Sequence, residues 1–421
     1  MLGFKSFLTE SMQEESPVLW NFLHHLSSST IRNEGAELHH SLHEARSVAD
    51  IKALAADATP TGNLYHHIRN GFHAAFPEDE SPEVTAQKAK EARSHFRTWM
   101  AQRGGHSAKN TLSFTGDNGK TRSSSGEGFA TIGLSLAPHS SSEMHKFDVC
   151  PKASSECRST CLGFTAGGNK QYPEASFRAK LLRTQYLAEH PEHAARLMSQ
   201  ELSEHEDWVN NHHTLHNEAG DIVGYKNLKT GKIRSESPKK ISHAAVEAGY
   251  NSGHYSEKPI KSGFRGNVTS DLPYESLMPR KFFEKHSNTQ FYDYTKLASR
   301  LKKNLPSNYS LALSHTGTGH AESNDKSAIE HLNNGGVVAM VYQRGAVEPT
   351  HVEDVKTGKR WKITNGDNDD NVFDRHASAG IPKTEGVVSG LKLKGVKNEA
   401  AGHFANKVDP DGIIRINKPA V

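Results

Sequence analysis

Cysteine is almost missing from this 421-residue chain. There are three, and all of them (Cys150, Cys157 and Cys161) fall within twelve positions. An odd count excludes a fully paired disulfide framework, and the first ten residues hold no apolar stretch long enough for a secretory leader. A reducing, intracellular setting is the expectation. Long apolar runs are missing as well: nothing approaches the roughly 18 residues of a membrane-spanning helix, so no membrane partner is expected. Charge of one sign is missing too. Lys and Arg number 51 against 48 Asp and Glu, and a net charge of +3 is too small to mark the chain as a nucleic-acid binder by bulk charge. Histidine is abundant, at 27 residues, so the chain becomes distinctly basic near pH 6. The length suffices for two or three domains and a sizeable core.

The pattern divides the chain into a helical accessory region over 1–105, a Ser/Gly/Lys/Thr-rich linker over 106–128, an α/β domain over 129–405 and a tail over 406–421. Thr30 to Ala56 has a helix-forming composition. Leu64, Ile68, Phe72 and Phe76 recur at i+4 steps along one helix face. Ser81-Pro82-Glu83 supplies an N-cap, a proline at N1 and an acid in the first turn, which starts a helix expected to stop at Gly104-Gly105. Ala130–Leu136 reads as a buried strand, and Pro173 to about Trp208 as one long helix. Beyond residue 262, strand-length apolar runs (Phe264–Thr269, Gln290–Tyr294, Tyr309–Ser314, Val337–Tyr342 and Val387–Leu393) alternate with helical stretches (Tyr274–His286, Leu297–Asn304 and Lys326–Asn333). This alternation predicts an α/β fold with a mostly parallel sheet, open or curled into a partial or full (β/α) barrel. Residues 217–262 read as a polar insertion with a hairpin over Gly224–Ile233, and 351–366 as a second hairpin.

Three thiolates in one loop between a strand and a helix are soft ligands able to close on one metal or cluster. No fourth cysteine exists, so a [4Fe–4S] cluster on this trio would keep one iron open. Zinc is the alternative, with His145 as fourth ligand. The C-x6-C-x3-C spacing decides for neither. Right-handed crossovers bring the carboxyl ends of parallel strands to one rim, where ligands gather. That rim would hold Asp271, Asp293, Lys296 and His315 as candidate catalytic groups, and Ser270, Ser314 and Asp367 as candidate cofactor-binding groups. Asp271 equally suits a helix cap, and Asp293 with Lys296 a surface pair.

Taken together, Cys150-Pro151 with Cys157 and Cys161, Thr269-Ser270-Asp271-Leu272-Pro273-Tyr274-Glu275, Phe291-Tyr292-Asp293-Tyr294-Thr295-Lys296, Asn308–Ser314, and Asn365-Gly366-Asp367 with Val387–Gly395 resemble a tailed-phage family, gene product 88, over roughly 128–405. The resemblance implies a phage origin and no particular reaction. The plan of a cysteine loop after the first strand of an α/β sheet is also similar to radical S-adenosylmethionine enzymes. The cysteine spacing differs from theirs, and no glycine-rich motif follows the second strand, since Ala166-Gly167-Gly168 comes too early. These departures weigh against S-adenosylmethionine more than against the cluster. Phe7-Leu8-Thr9-Glu10 looks like the end of a capsid-targeting peptide cut by a prohead protease, against the plainer reading of a helix start.

Three functions follow as expectations. The first is an enzyme with a three-cysteine iron–sulfur site, acting on a small-molecule or nucleotide substrate in the host cytoplasm. The second is a zinc-stabilised nucleic-acid- or protein-binding module, with the basic 217–262 insertion against phosphates. The third is a non-catalytic protein packaged in the virion interior.

Overall fold

The structure is a computed structural model that describes residues 60–105, 110–113, 128–138, 148–159, 161, 174–236, 239–345, 347–368, 371–394 and 397–417. The expectations for Thr30–Ala56, Phe7–Glu10 and His145 lie outside these residues. Two helices open the described chain, α1 (Pro60–Ala74) and α2 (Pro82–Gln102). Ser81 caps α2 by accepting from the Val84 amide, and Pro82 sits at its start. The Ile68/Phe72 stripe of α1 is buried, as are Phe96, Trp99 and Met100 of α2. These side chains join one core with the sheet residues Phe264, Phe291 and Tyr309. The two helices are therefore packed onto the α/β body rather than carrying a separate core.

The main sheet has ten strands: β1 (Leu112–Ser113), β2 (Phe129–Leu134), β7 (Lys261–Arg265), β8 (Thr289–Thr295), β9 (Tyr309–Ser314), β10 (Val337–Tyr342), β11 (His351–Asp354), β12 (Arg360–Asn365), β13 (Val387–Lys392) and β14 (Ile413–Ile416). Their order is β1-β2-β7-β8-β9-β10-β13-β12-β11-β14. Pairing is parallel from β2 through β13 to β12, whereas β1 joins β2 and β11 joins β12 antiparallel. Among the described residues β1 and β14 each have one neighbour, so the sheet is open and the full-barrel expectation is corrected. The strands nonetheless advance in one direction from β2 to β13. Right-handed crossovers then put the connecting helices on one face.

That face carries an aromatic ladder. Phe264 faces Phe291 across β7/β8 and Phe291 faces Tyr309 across β8/β9. Phe282 and Phe283 pack edge-on against Phe291. The opposite face, with Tyr292, Ala312 and Val387, is covered by Val372 and Ala379.

Several expected elements are cut short, each for a local reason. The long helix beginning near Pro173 is two, α4 (Glu174–Glu189) and α5 (Pro191–Asn210), following the one-turn α3 (Ser155–Ser159). Pro191 has no amide hydrogen for the helical ladder, and His190 before it takes φ −134, ψ 57. Pro279 likewise splits the expected Tyr274–His286 helix into α7 (Tyr274–Leu277) and α8 (Arg280–Lys285). Only one turn, α9 (Ala298–Leu301), forms after β8, while α10 (Asp325–Asn333) matches its expected stretch. β7 stops at Arg265 because the Asn267 amide turns to donate to Asp293 Oδ1 across the neighbouring strand, at 2.7 Å.

The insertion folds as its own antiparallel sheet, β5-β4-β3-β6, from β3 (His212–His216), β4 (Ile222–Asn227), β5 (Ile233–Ser235) and β6 (Ser256–Pro259). A helix, α6 (His243–Asn251), packs on β5. Two stretches read as linker and tail are partly strand: Leu112–Ser113 edges β2, and Ile413–Ile416 pairs with β11.

Candidate functional site: the carboxyl-end rim

The cysteine loop crosses the carboxyl ends of β7 and β8. The Asp271 amide donates to the Val149 carbonyl at 2.7 Å, and the Cys150 thiol lies 3.7 Å from the Thr269 carbonyl. Asp148 accepts from the Cys150 amide and pairs with Arg158 at 2.8 Å, which closes the loop on itself. The Cys157 amide donates to Ser154 Oγ.

Lys296, the first residue past β8, runs along this rim. Its Nζ donates to Ser314 Oγ at the end of β9, at 3.1 Å, and also bonds the Cys157 sulfur. The Phe404 ring lies 5.8 Å away. Burial alone would lower the lysine pKa, yet attraction to Cys157, Asp271 and Cys150 carries it above its usual value. Lys180 on α4 is buried and its pKa is pushed down to about 8, with Cys161 opposing that shift.

Beneath the rim, Arg300 of α9 is 1% exposed and donates to both oxygens of Glu275 (3.1 and 2.8 Å) and to Asp271 Oδ1 (2.6 Å). Asp271 Oδ2 accepts the Lys296 amide. Asp271 therefore anchors the backbone of Lys296; its carboxylate is committed to protein donors. Asp293 is fully buried and accepts from the Asn267 amide, Asn267 Nδ2 and the Tyr309 hydroxyl. Burial pushes its pKa up to about 6, although Arg300, Tyr309 and Asn267 pull the other way. No face of it is open to a ligand. His315 is also sealed, with Nε2 at 2.7 Å from Asp325 and Nδ1 accepting from the Gly317 amide. It ties β9 to the start of α10. Ser270 donates to Asn267 Oδ1.

Asp367 pairs with Lys394 and accepts the Lys392 amide. It follows β12, four strand spacings from β8 in an open sheet and thus roughly 19 Å away. The structure therefore brings together the cysteine loop, Lys296, Ser314 and Asp271. It seals Asp293 and His315 below them and leaves Asp367 apart.

The rim also holds groups that the sequence pattern does not single out. Glu156 of α3, His320 and Glu322 place one donor atom each within 4.8 Å of one another. Both carboxylates approach Ser155 Oγ, and the His320 ring stacks on His403. The available signal is Thr316-Gly317-Thr318-Gly319-His320, a glycine-punctuated loop directly after a strand. Among the described residues, no group of three donors within 4.8 Å includes a cysteine. A tetrahedral zinc with bonds of about 2.3 Å would hold its sulfurs about 3.8 Å apart, so the trio is not closed for a single ion.

An open, largely parallel α/β sheet with a thiol-and-lysine rim defines the class. Within it, the family model for gene product 88 matches residues 102–238 and 250–407, more than half of the chain. The protein belongs to this family of phage proteins. No curated protein and no solved structure matches it. No helix among the described residues is long and apolar enough to cross a membrane.

Proposed function

We propose that the protein is a phage enzyme whose chemistry sits on the carboxyl-end rim, with Cys150, Cys157 and Cys161 as ligands of a [4Fe–4S] cluster. The observation that carries this reading is the contact of the Lys296 ammonium with Cys157, on the rim where the Cys150 thiol meets the Thr269 carbonyl. Three thiolates give a cluster net negative charge, and the Lys296 ammonium would offset part of it. Among the described residues the three thiols are not gathered at the spacing of a single ion, so the loop would have to close around a cluster to bind it. When bound, such a cluster supplies electron transfer or one iron open to a ligand. Lys296 would hold its proton and bind an anionic part of the substrate. Ser314 would fix the lysine's direction, and Asp271 its backbone. Asp293 and His315 would act through packing, since neither reaches the rim surface. No step is assigned to S-adenosylmethionine, because no glycine-rich segment follows β7.

The test is anaerobic reconstitution of the full chain with iron and sulfide. Broad visible charge-transfer absorption is expected, and Cys157→Ala should abolish it. Absorption that survives Cys157→Ala would overturn the reading.

A second reading rests on the small sheet. Lys229, Lys232, Arg234, Lys239 and Lys240 are all exposed there, a set of cations suited to phosphates. Binding to single- or double-stranded nucleic acid should then weaken with salt, and the log–log slope should shrink when Lys239 and Lys240 become Gln. A slope unchanged by that substitution would dismiss it.

A further inference from the structure

The helices carry a second cluster that shares no residue with the rim. His95 projects from α2, His190 sits at the break between α4 and α5, and His193 lies in the first turn of α5. One ring nitrogen from each lies within 4.8 Å of the other two. The Nδ1 atoms of His95 and His193 are 3.4 Å apart, and the ring centroids of His95 stand 4.6 Å from His190 and 4.7 Å from His193. A tetrahedral zinc with Zn–N bonds of 2.0–2.1 Å separates its nitrogens by about 3.3 Å, so one pair already stands at ligand spacing.

We propose that His95, His190 and His193 form a site for a divalent late transition-metal ion, zinc foremost, that clips α2 to the α4–α5 corner. Imidazole is the ligand type such ions favour. The surroundings suit it as well. The Tyr186 hydroxyl lies 3.1 Å from the same His95 Nδ1 and would give up that nitrogen to the ion. Glu189 reaches His190 Nε2 at 4.0 Å without joining the three nitrogens, so the fourth position would fall to water.

The competing role is an aromatic stack around Tyr186 and Trp99. The test uses the full chain with Cys150, Cys157 and Cys161 changed to Ser, so that thiol binding cannot contribute. After chelator treatment, zinc titration by calorimetry should give one site per chain. His193→Gln and His95→Gln should each weaken it at least tenfold, and His66→Gln, which changes an exposed histidine of α1, should leave it intact. Cobalt in the same site should show tetrahedral ligand-field bands, lost in His193→Gln. Circular dichroism of the metal-free variants should match the parent, separating lost binding from lost folding. Zinc affinity unchanged by His193→Gln, or no stoichiometric binding by the well-folded parent, overturns the proposal. Either result leaves the cysteine reading of the rim untouched.

Discussion

Replacing Asp293 by Asn separates a sealed anchoring carboxyl from one that works in the open. In the fold its pKa stands near 6 and in the unfolded chain near 3.8, chiefly because burial penalises the charged form. Between these values the folded state binds more protons than the unfolded state. Stability therefore falls as pH rises through this window and is flat above it. The full difference is on the order of 3 kcal/mol, of which about 1.4 kcal/mol falls between pH 5 and 7.5. Asn cannot titrate, so the variant lacks this slope. It also carries a pH-independent offset, because one amide end must face the Asn267 and Tyr309 donors, at a cost of about 1–3 kcal/mol. Urea denaturation at intervals from pH 5 to 7.5 reads both effects. The stability of wild type relative to Asp293→Asn should decline by about 1.4 kcal/mol across the range. A difference that stays level would mean the carboxyl is solvated and the burial argument fails.

Three further outcomes follow from neighbouring contacts. Arg300→Met leaves Asp271 and Glu275 without their buried counter-charge and should cost about 3–5 kcal/mol in urea unfolding, with much of it recovered when Glu275→Gln is added; a loss under 1 kcal/mol would mean that the network is solvated. Gly317 has φ +98, and a side chain there would meet the His403 carbonyl oxygen, so Gly317→Ala should lower stability by about 1–3 kcal/mol and speed amide exchange over 399–404; unchanged exchange would refute the contact. Glu201 is buried with its pKa raised to about 7, chiefly by that burial, and it accepts from the Thr111 amide, the Thr111 hydroxyl and the Leu112 amide; Glu201→Ala should release β1, read as faster exchange at Leu112, and equal protection in the variant would count against it.

The strand cores of the α/β body were legible because period and composition agree there. Tyr309–Ser314 and Val337–Tyr342 are strands to the residue. Their parallel pairing followed from the helices between them. Closure of the sheet was not legible, since it depends on how β12 joins β13 while turning β11 antiparallel, a choice made by long-range pairing. Helix lengths were overestimated wherever a proline sat inside an apolar pattern, at Pro191 and Pro279. At the rim, sequence position located Lys296, Ser314 and Asp271 but could not separate exposed from sealed groups. Asp293 points into the aromatic core and His315 toward Asp325, whereas His320, five residues on, stands at the surface beside Glu156. The three-histidine cluster draws on two helices and a helix break, so its spacing along the chain carries no recognisable signature.

The central claim is that one inorganic centre is shared by Cys150, Cys157 and Cys161. Native mass spectrometry of the full chain, purified without oxygen and sprayed intact, reads it directly. The expected spectrum shows the mass of four irons and four sulfides on wild type, lost when any one of the three cysteines becomes Ala. A wild-type chain that carries a single zinc, or only its bare mass after iron and sulfide are supplied, would contradict it.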